Sequence, residues 1–219
     1  MPRPMPALAS QFGADVSKCL ALAKAGELAL AAARTNEVVR YELRPSTLEA
    51  IYELAFLRVF LYWESFLEDS MQRLMCGYAL PTPGVTLSGG PYSLVIAPMA
   101  TLAQANAAIL GRSSYVSWAP APVISRSRAY INNGPHELVL QSATGRLEWL
   151  VAVRNRIAHP SEHARREFDR ASMGLVGRRY RGSSPGRLLR DWDFSVTLNV
   201  RMLVSLSGEL VSLAGQIAP

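Results

Sequence analysis

Apolar positions recur along this chain at the three- and four-residue spacing of helices, and the alternation that marks strands is weak throughout. The first such stretch, about Ser10 to Thr35, is rich in Ala and Leu, the strongest helix formers. A second follows Pro45, where Ser46-Thr47-Leu48-Glu49 has the S-x-x-E form of a capping box. It runs to about Met75, with Gly77 placed to end it. Residues 79–96 hold Pro81, Pro83, Gly84, Gly89, Gly90 and Pro91 and read as loop. A short helix is expected over about Pro98 to Leu110, and irregular chain over 111–134, closing on the Asn132-Asn133-Gly134-Pro135 turn signal. A long helix then covers about Pro135 to Ala158, and a shorter one Pro160 to about Met173. After a Gly- and Arg-rich connector, with Ser183-Ser184-Pro185-Gly186 read as loop, a final helix runs from roughly Gly186 to Ile217, breaking near Asp191-Trp192-Asp193. The pattern predicts an all-α bundle of about five to six helices in one domain, with its core at about 45–78 and 135–217 and loop-like insertions over 79–134.

Two positions interrupt the apolar pattern. Leu54 to Trp63 is apolar almost all round the helix, which predicts a buried central element, yet Arg58, Tyr62, Ser65 and Asp69 cross it at i, i+4, i+7 and i+11. A buried Arg58 needs either an acidic partner on a neighbouring helix or a phosphate in a cleft. On the long helix before residue 159, Leu140, Ala143, Leu147, Leu150, Val151, Ile157 and Ala158 form one apolar stripe, and Arg154 falls in its middle. That placement asks for an ion pair, a seam between subunits or an anion site. Arg156 projects from the opposite side and reads as a surface charge.

The next feature is a proline. His159 lies five residues after Arg154, and Pro160 disfavours α conformation at His159. The long helix is therefore expected to end at about Ala158, with His159 as the junction or N-cap and Pro160 first in the new helix. Such a break lets the imidazole swing towards Arg154 and Asn155. These groups suit cleavage of a ribose phosphodiester: imidazole, with a reference pKa of about 6.5, takes the 2′-hydroxyl proton, and a guanidinium grips the non-bridging oxygens. Asn155 orients the imidazole or donates to the phosphate. For His159 alone, the plainer reading is a junction histidine with a satisfied backbone.

Composition narrows the classes. The chain has 219 residues, 49% hydrophobic, and a formal net charge of +6. Between positions 154 and 190, ten arginines (154, 156, 165, 166, 170, 178, 179, 181, 187 and 190) face only Glu162, Glu167 and Asp169. This region attracts phosphates, unless it is simply the solvated face of a chain with only two lysines. Cys19 and Cys76 lack metal or redox spacing and read as reduced core thiols, which suits the cytoplasm. His159 and His163 have H-x3-H spacing without a third ligand nearby, so no metal and no cofactor are expected. Met1-Pro2-Arg3-Pro4-Met5-Pro6 has no apolar core of a signal peptide, and charges interrupt every apolar run before membrane-spanning length. A soluble protein is the expectation.

Arg154-Asn155-x-x-x-His159 resembles the R-x4-6-H signature of the HEPN superfamily, in which a polar residue often follows the arginine. The wider run Glu148 to Pro160 looks like the motif helix of these proteins, and Tyr62-Trp63-Glu64-Ser65-Phe66-Leu67-Glu68 is similar to an earlier family helix. The likeness covers roughly 45–75 and 135–215. It implies a helical bundle that dimerises so that two motifs face one cleft, with metal-independent cleavage of RNA to a 2′,3′-cyclic phosphate. It further implies a toxin or antiviral-defence role, often with an antitoxin or other regulatory partner. Arg154 would bind the phosphate, His159 act as general acid and base, and Asn155 assist. Arg58, Glu64, Arg165 and Arg166 are weaker candidates for substrate contact. Some HEPN domains keep the bundle without catalysis and bind nucleic acid or a partner protein instead.

Overall fold

The computed structural model describes residues 3–33, 36–80, 92–195 and 199–219. Most of these are helical, and the fold class is all-α. The chain runs α1 (Leu8–Ala32), α2 (Glu37–Glu42), α3 (Pro45–Met75), β1 (Ser93–Leu94), α4 (Leu102–Leu110), α5 (Pro120–Tyr130), β2 (Ile131–Asn132) and α6 (Pro135–Ala158). It continues with α7 (Glu162–Val176), a 3-10 turn (Arg181–Ser183), α8 (Pro185–Arg190), β3 (Trp192–Asp193), β4 (Val200–Arg201) and α9 (Met202–Ile217). The long helices stand where apolar periodicity put them. Of the proline- and glycine-rich loop expected over 79–96, residues 81–91 lie outside the described residues. The stretch 111–134 is less irregular than its prolines suggest: Pro120 occupies the first turn of α5, where a missing N–H costs nothing.

Two compact units divide the chain, and α1, α3, α6 and α9 each contribute residues to both. The first unit comprises 1–13, 63–147 and 211–219. Its core holds Phe12, Trp63 and Phe66, whose ring centroids lie 5.7 to 5.9 Å apart, and Leu67, Met71, Leu74, Leu140 and Ile217 are fully buried in the same unit. Antiparallel β1 and β2 pair Ser93 with Asn132 and Leu94 with Ile131. At its centre the buried Ser70 Oγ donates to the Phe66 carbonyl at 2.7 Å and lies 2.8 Å from His136 Nε2.

The second unit comprises 14–62 and 148–210. Leu48, Phe56, Val59, Leu150, Val153, Phe168, Leu188, Leu189 and Leu206 are buried in it. The long final helix expected from Gly186 onward resolves into α8, the two-residue strands β3 and β4, and α9. The interruption falls at the Asp191-Trp192-Asp193 break, where Trp192 pairs with Arg201 and Asp193 with Val200. Helix α8 seats closely on α3. Gly186 donates its N–H to Glu53 Oε1 at 2.8 Å, and a β-carbon at Gly186 would fall 2.6 Å from the Glu49 carbonyl oxygen. The 183–186 segment is thus a packed helix start, with Ser183, Pro185 and Gly186 buried and Ser184 capping the Arg187 N–H. A carboxylate anchors the same region: Glu27 on α1 accepts from Arg190 at 2.7 Å and Tyr52 at 3.3 Å, with Arg201 at 3.7 Å. Burial pushes the Glu27 pKa up, but the Arg190 and Arg201 charges and hydrogen bonds outweigh it and hold the carboxyl below its ordinary range.

Candidate functional site

Helix α6 ends at Ala158, and the reason is local. Pro160 cannot continue the hydrogen-bond ladder, so His159 is the last residue tied to it, its N–H donating to the Asn155 carbonyl at 2.9 Å. Helix α7 begins later than the sequence suggests. Ser161, extended at φ −69° and ψ 153°, accepts from the Ala164 N–H at 3.2 Å and is the N-cap. His159 is therefore not the cap and Pro160 is not the first helical residue. A serine hydroxyl reaches the third N–H of the new turn, which is why Ser161 takes the position.

The motif side chains occupy this corner in the second unit. Arg154 is half-buried, as its place in the apolar stripe predicts. Its Nη1 donates to Asn155 Oδ1 at 3.0 Å, and its guanidinium lies over the Phe60 ring of α3, 5.8 Å from the centroid. The ring face shelters the cation. His159 is exposed, and its ring makes no hydrogen bond among the described residues. Arg154 and Asn155 are thus in direct contact, while His159 is joined to Asn155 through the backbone.

The weaker candidates scatter. Arg58 is exposed, contrary to its expected burial; its Nε donates to Tyr62 at 3.2 Å and its cation lies over the same ring. The cause is visible on α3, where Leu54 and Leu61, 62% and 59% exposed, share that face with Arg58. An apolar run was therefore not a fully buried one. Glu64 is half-buried and belongs to the first unit. Arg165 is held by Glu162 in a two-pronged pair at 2.6 and 2.8 Å, one turn away on α7. Arg166 is exposed on the same helix without a hydrogen bond or ion pair among the described residues.

Two features went unseen in the sequence. Arg156, expected as a free surface charge, is half-buried and donates to the Ser183 carbonyl at 3.2 Å. It lines a cavity of about 300 Å³ with Glu53, Ile157, Pro160 and residues 182–185. Burial raises the Glu53 pKa, opposed by the Gly186 N–H. Nothing in the local sequence of α3 marks Glu53, because its burial is made by α8, more than 130 residues later. The second feature is an open cleft of about 570 Å³ lined by Glu49, Tyr180, Asp191 and the arginines 178, 179, 181, 187, 190 and 201. The arginine density was legible; its gathering around one cleft was not. Among the described residues no group of three or more His, Cys, Asp or Glu side chains is arranged to hold a metal, and no helix is long and apolar enough to cross a membrane. Compared with known proteins, the chain matches no family model, no curated protein and no solved structure.

Proposed function

We propose that this protein is a metal-independent endoribonuclease working through Arg154, Asn155 and His159, with two copies of the motif facing one cleft in a homodimer. The observation that carries the reading is the construction of the corner at the end of α6. One guanidinium is sheltered against Phe60 and tethered to Asn155, and an exposed imidazole follows at the proline-enforced helix end. The ribose 2′-oxygen attacks phosphorus as its proton passes to a His159 imidazole. The phosphorus–O5′ bond breaks, and the departing 5′-oxygen takes a proton from a His159 imidazolium. The products are a 2′,3′-cyclic phosphate and a 5′-hydroxyl. Arg154 neutralises the charge that gathers on the non-bridging oxygens. Cleavage of cellular RNA fits a cytoplasmic toxin or antiviral-defence role held in check by an antitoxin or other regulatory protein.

A second reading draws on the arginine-lined cleft, which suits a phosphate chain without any chemistry: a non-catalytic module that binds nucleic acid or a partner. One comparison separates the two. Wild-type protein in EDTA should cleave RNA to cyclic-phosphate ends, and His159→Ala should lose about 100-fold or more of that activity, the scale of a general acid–base group. His159 is exposed, so the substitution leaves packing intact, as circular dichroism would verify. Undiminished cleavage by His159→Ala removes the imidazole from the mechanism; RNA binding with no cleavage by wild type favours the second reading. Expression in a bacterial host, wild type beside His159→Ala, tests the toxin role by growth.

A further inference from the structure

We infer that the surface formed by the 178–181 connector, α8 and residues 192–194 and 201 of the paired strands β3 and β4 and their flank is a binding site for single-stranded RNA, built from residues separate from the Arg154–His159 corner. The choice of RNA rests on the ribonuclease reading; the site itself rests on two independent observations.

The first is charge that internal pairing leaves over. Six arginines and two carboxylates line the cleft. Arg178 is paired with Asp191, which also accepts from Tyr180 at 2.6 Å. Arg187 meets Glu49 at 3.2 Å, and Arg190 and Arg201 share Glu27. Arg179 and Arg181 are exposed and make no hydrogen bond or ion pair among the described residues. The paired arginines fix the walls of the cleft, and these two present their donors outward from a turn kept in shape by positive φ at Gly182 and Ser183. Like charges gathered at one place, beyond what neighbouring acids neutralise, repel one another unless an anion joins them.

The second is aromatic surface adjoining the cleft, on the residues that follow Asp191. Phe194 is 79% exposed beside β3, and Trp192 is 39% exposed, with the Arg201 guanidinium stacked 3.9 Å from its centroid. Tyr180 lines the cleft itself. Arginines already lie over the Tyr180 and Trp192 rings, and Phe194 stands open beside them. A cationic surface flanked by an open ring matches single strands, whose phosphates follow the charge while an unpaired base stacks on the ring. A duplex hides its base faces and has no use for Phe194. A small phosphate would have no use for it either.

The test is fluorescence anisotropy with a labelled single-stranded RNA of about 12 nucleotides, in a His159→Ala background so that the strand stays intact. Joint Arg179→Gln and Arg181→Gln substitution should weaken binding about tenfold or more and lower the slope of log affinity against log salt by about 1.4, two lost phosphate contacts on a single strand. Phe194→Ala should weaken single-strand binding about fivefold or more with little change in that slope. Unchanged affinity and slope in the double arginine variant overturns the site, as does failure of the unmodified surface to bind RNA. Equal affinity for duplex, with Phe194→Ala neutral, overturns its single-strand character. Cleavage by the otherwise wild-type protein is scored separately: binding here without cleavage leaves the site standing and ends the nuclease reading. Cleavage with the arginine variant still binding normally does the reverse.

Discussion

His136 is fully buried beside Ser70, and its chemistry follows from where one proton goes. The Ser70 hydroxyl spends its hydrogen on the Phe66 carbonyl, so it accepts from Nε2–H, and the neutral ring keeps Nδ1 bare, without a hydrogen-bond partner among the described residues. Burial drives the His136 pKa down to about 4, against a small opposing pull from the Leu67 carbonyl. In the unfolded chain it returns to about 6.5, so between those values the unfolded state holds a proton that the folded state lacks. Stability is full above pH 6.5 and falls as pH drops towards 4, by about 3 kcal/mol at most from this group. Urea unfolding at pH 7 and 4.5 should show the wild type losing about 2 kcal/mol more than His136→Phe on acidification; equal losses would mean that the imidazole is not excluded from its charge. No sequence pattern announced His136. It sits at the start of α6, one of many polar residues near a helix end, and only the fold encloses it.

At the scale of elements, the seat of α8 on α3 carries the clearest expectation. A methyl at position 186 would meet the Glu49 backbone, which has no rotamer to turn aside, so α8 must lift. Gly186→Ala should cost about 1–3 kcal/mol, read as a lower denaturant midpoint with unchanged slope; an unmoved midpoint would mean that α8 is free to shift. The helices were largely legible because apolar spacing and proline punctuation are local signals. The S-x-x-E spacing at Ser46 was not one of them, since α3 already begins at Pro45 and Ser46 lies inside it rather than at its cap. Arg154 in the apolar stripe and the end of α6 before Pro160 were legible for the same reason. What misled was the boundary between local pattern and tertiary placement. Leu54, Arg58 and Leu61 share an outward face although their neighbours are apolar, and Ser161 took the cap that His159 seemed to hold. Glu53 had no legible signal at all, since a segment far along the chain supplies its partner.

For the molecule as a whole, the proposed chemistry demands two motifs, and this is a statement about mass. Sedimentation equilibrium should return twice the 23.9 kDa of one chain; a monomer that cleaves RNA at every concentration would require a single motif to hold both proton-transfer roles. The net charge of +6 does not decide between binding and cleavage, because either activity needs a cationic surface. The bond from Arg156 to the Ser183 carbonyl bears on both. It ties the helix that ends in His159 to the turn from which Arg181 projects. A strand threaded along the arginines would therefore be measured off against the imidazole, as a ruler fixed at one end marks a constant distance, and cuts would fall at a set offset from whatever base stacks on Phe194.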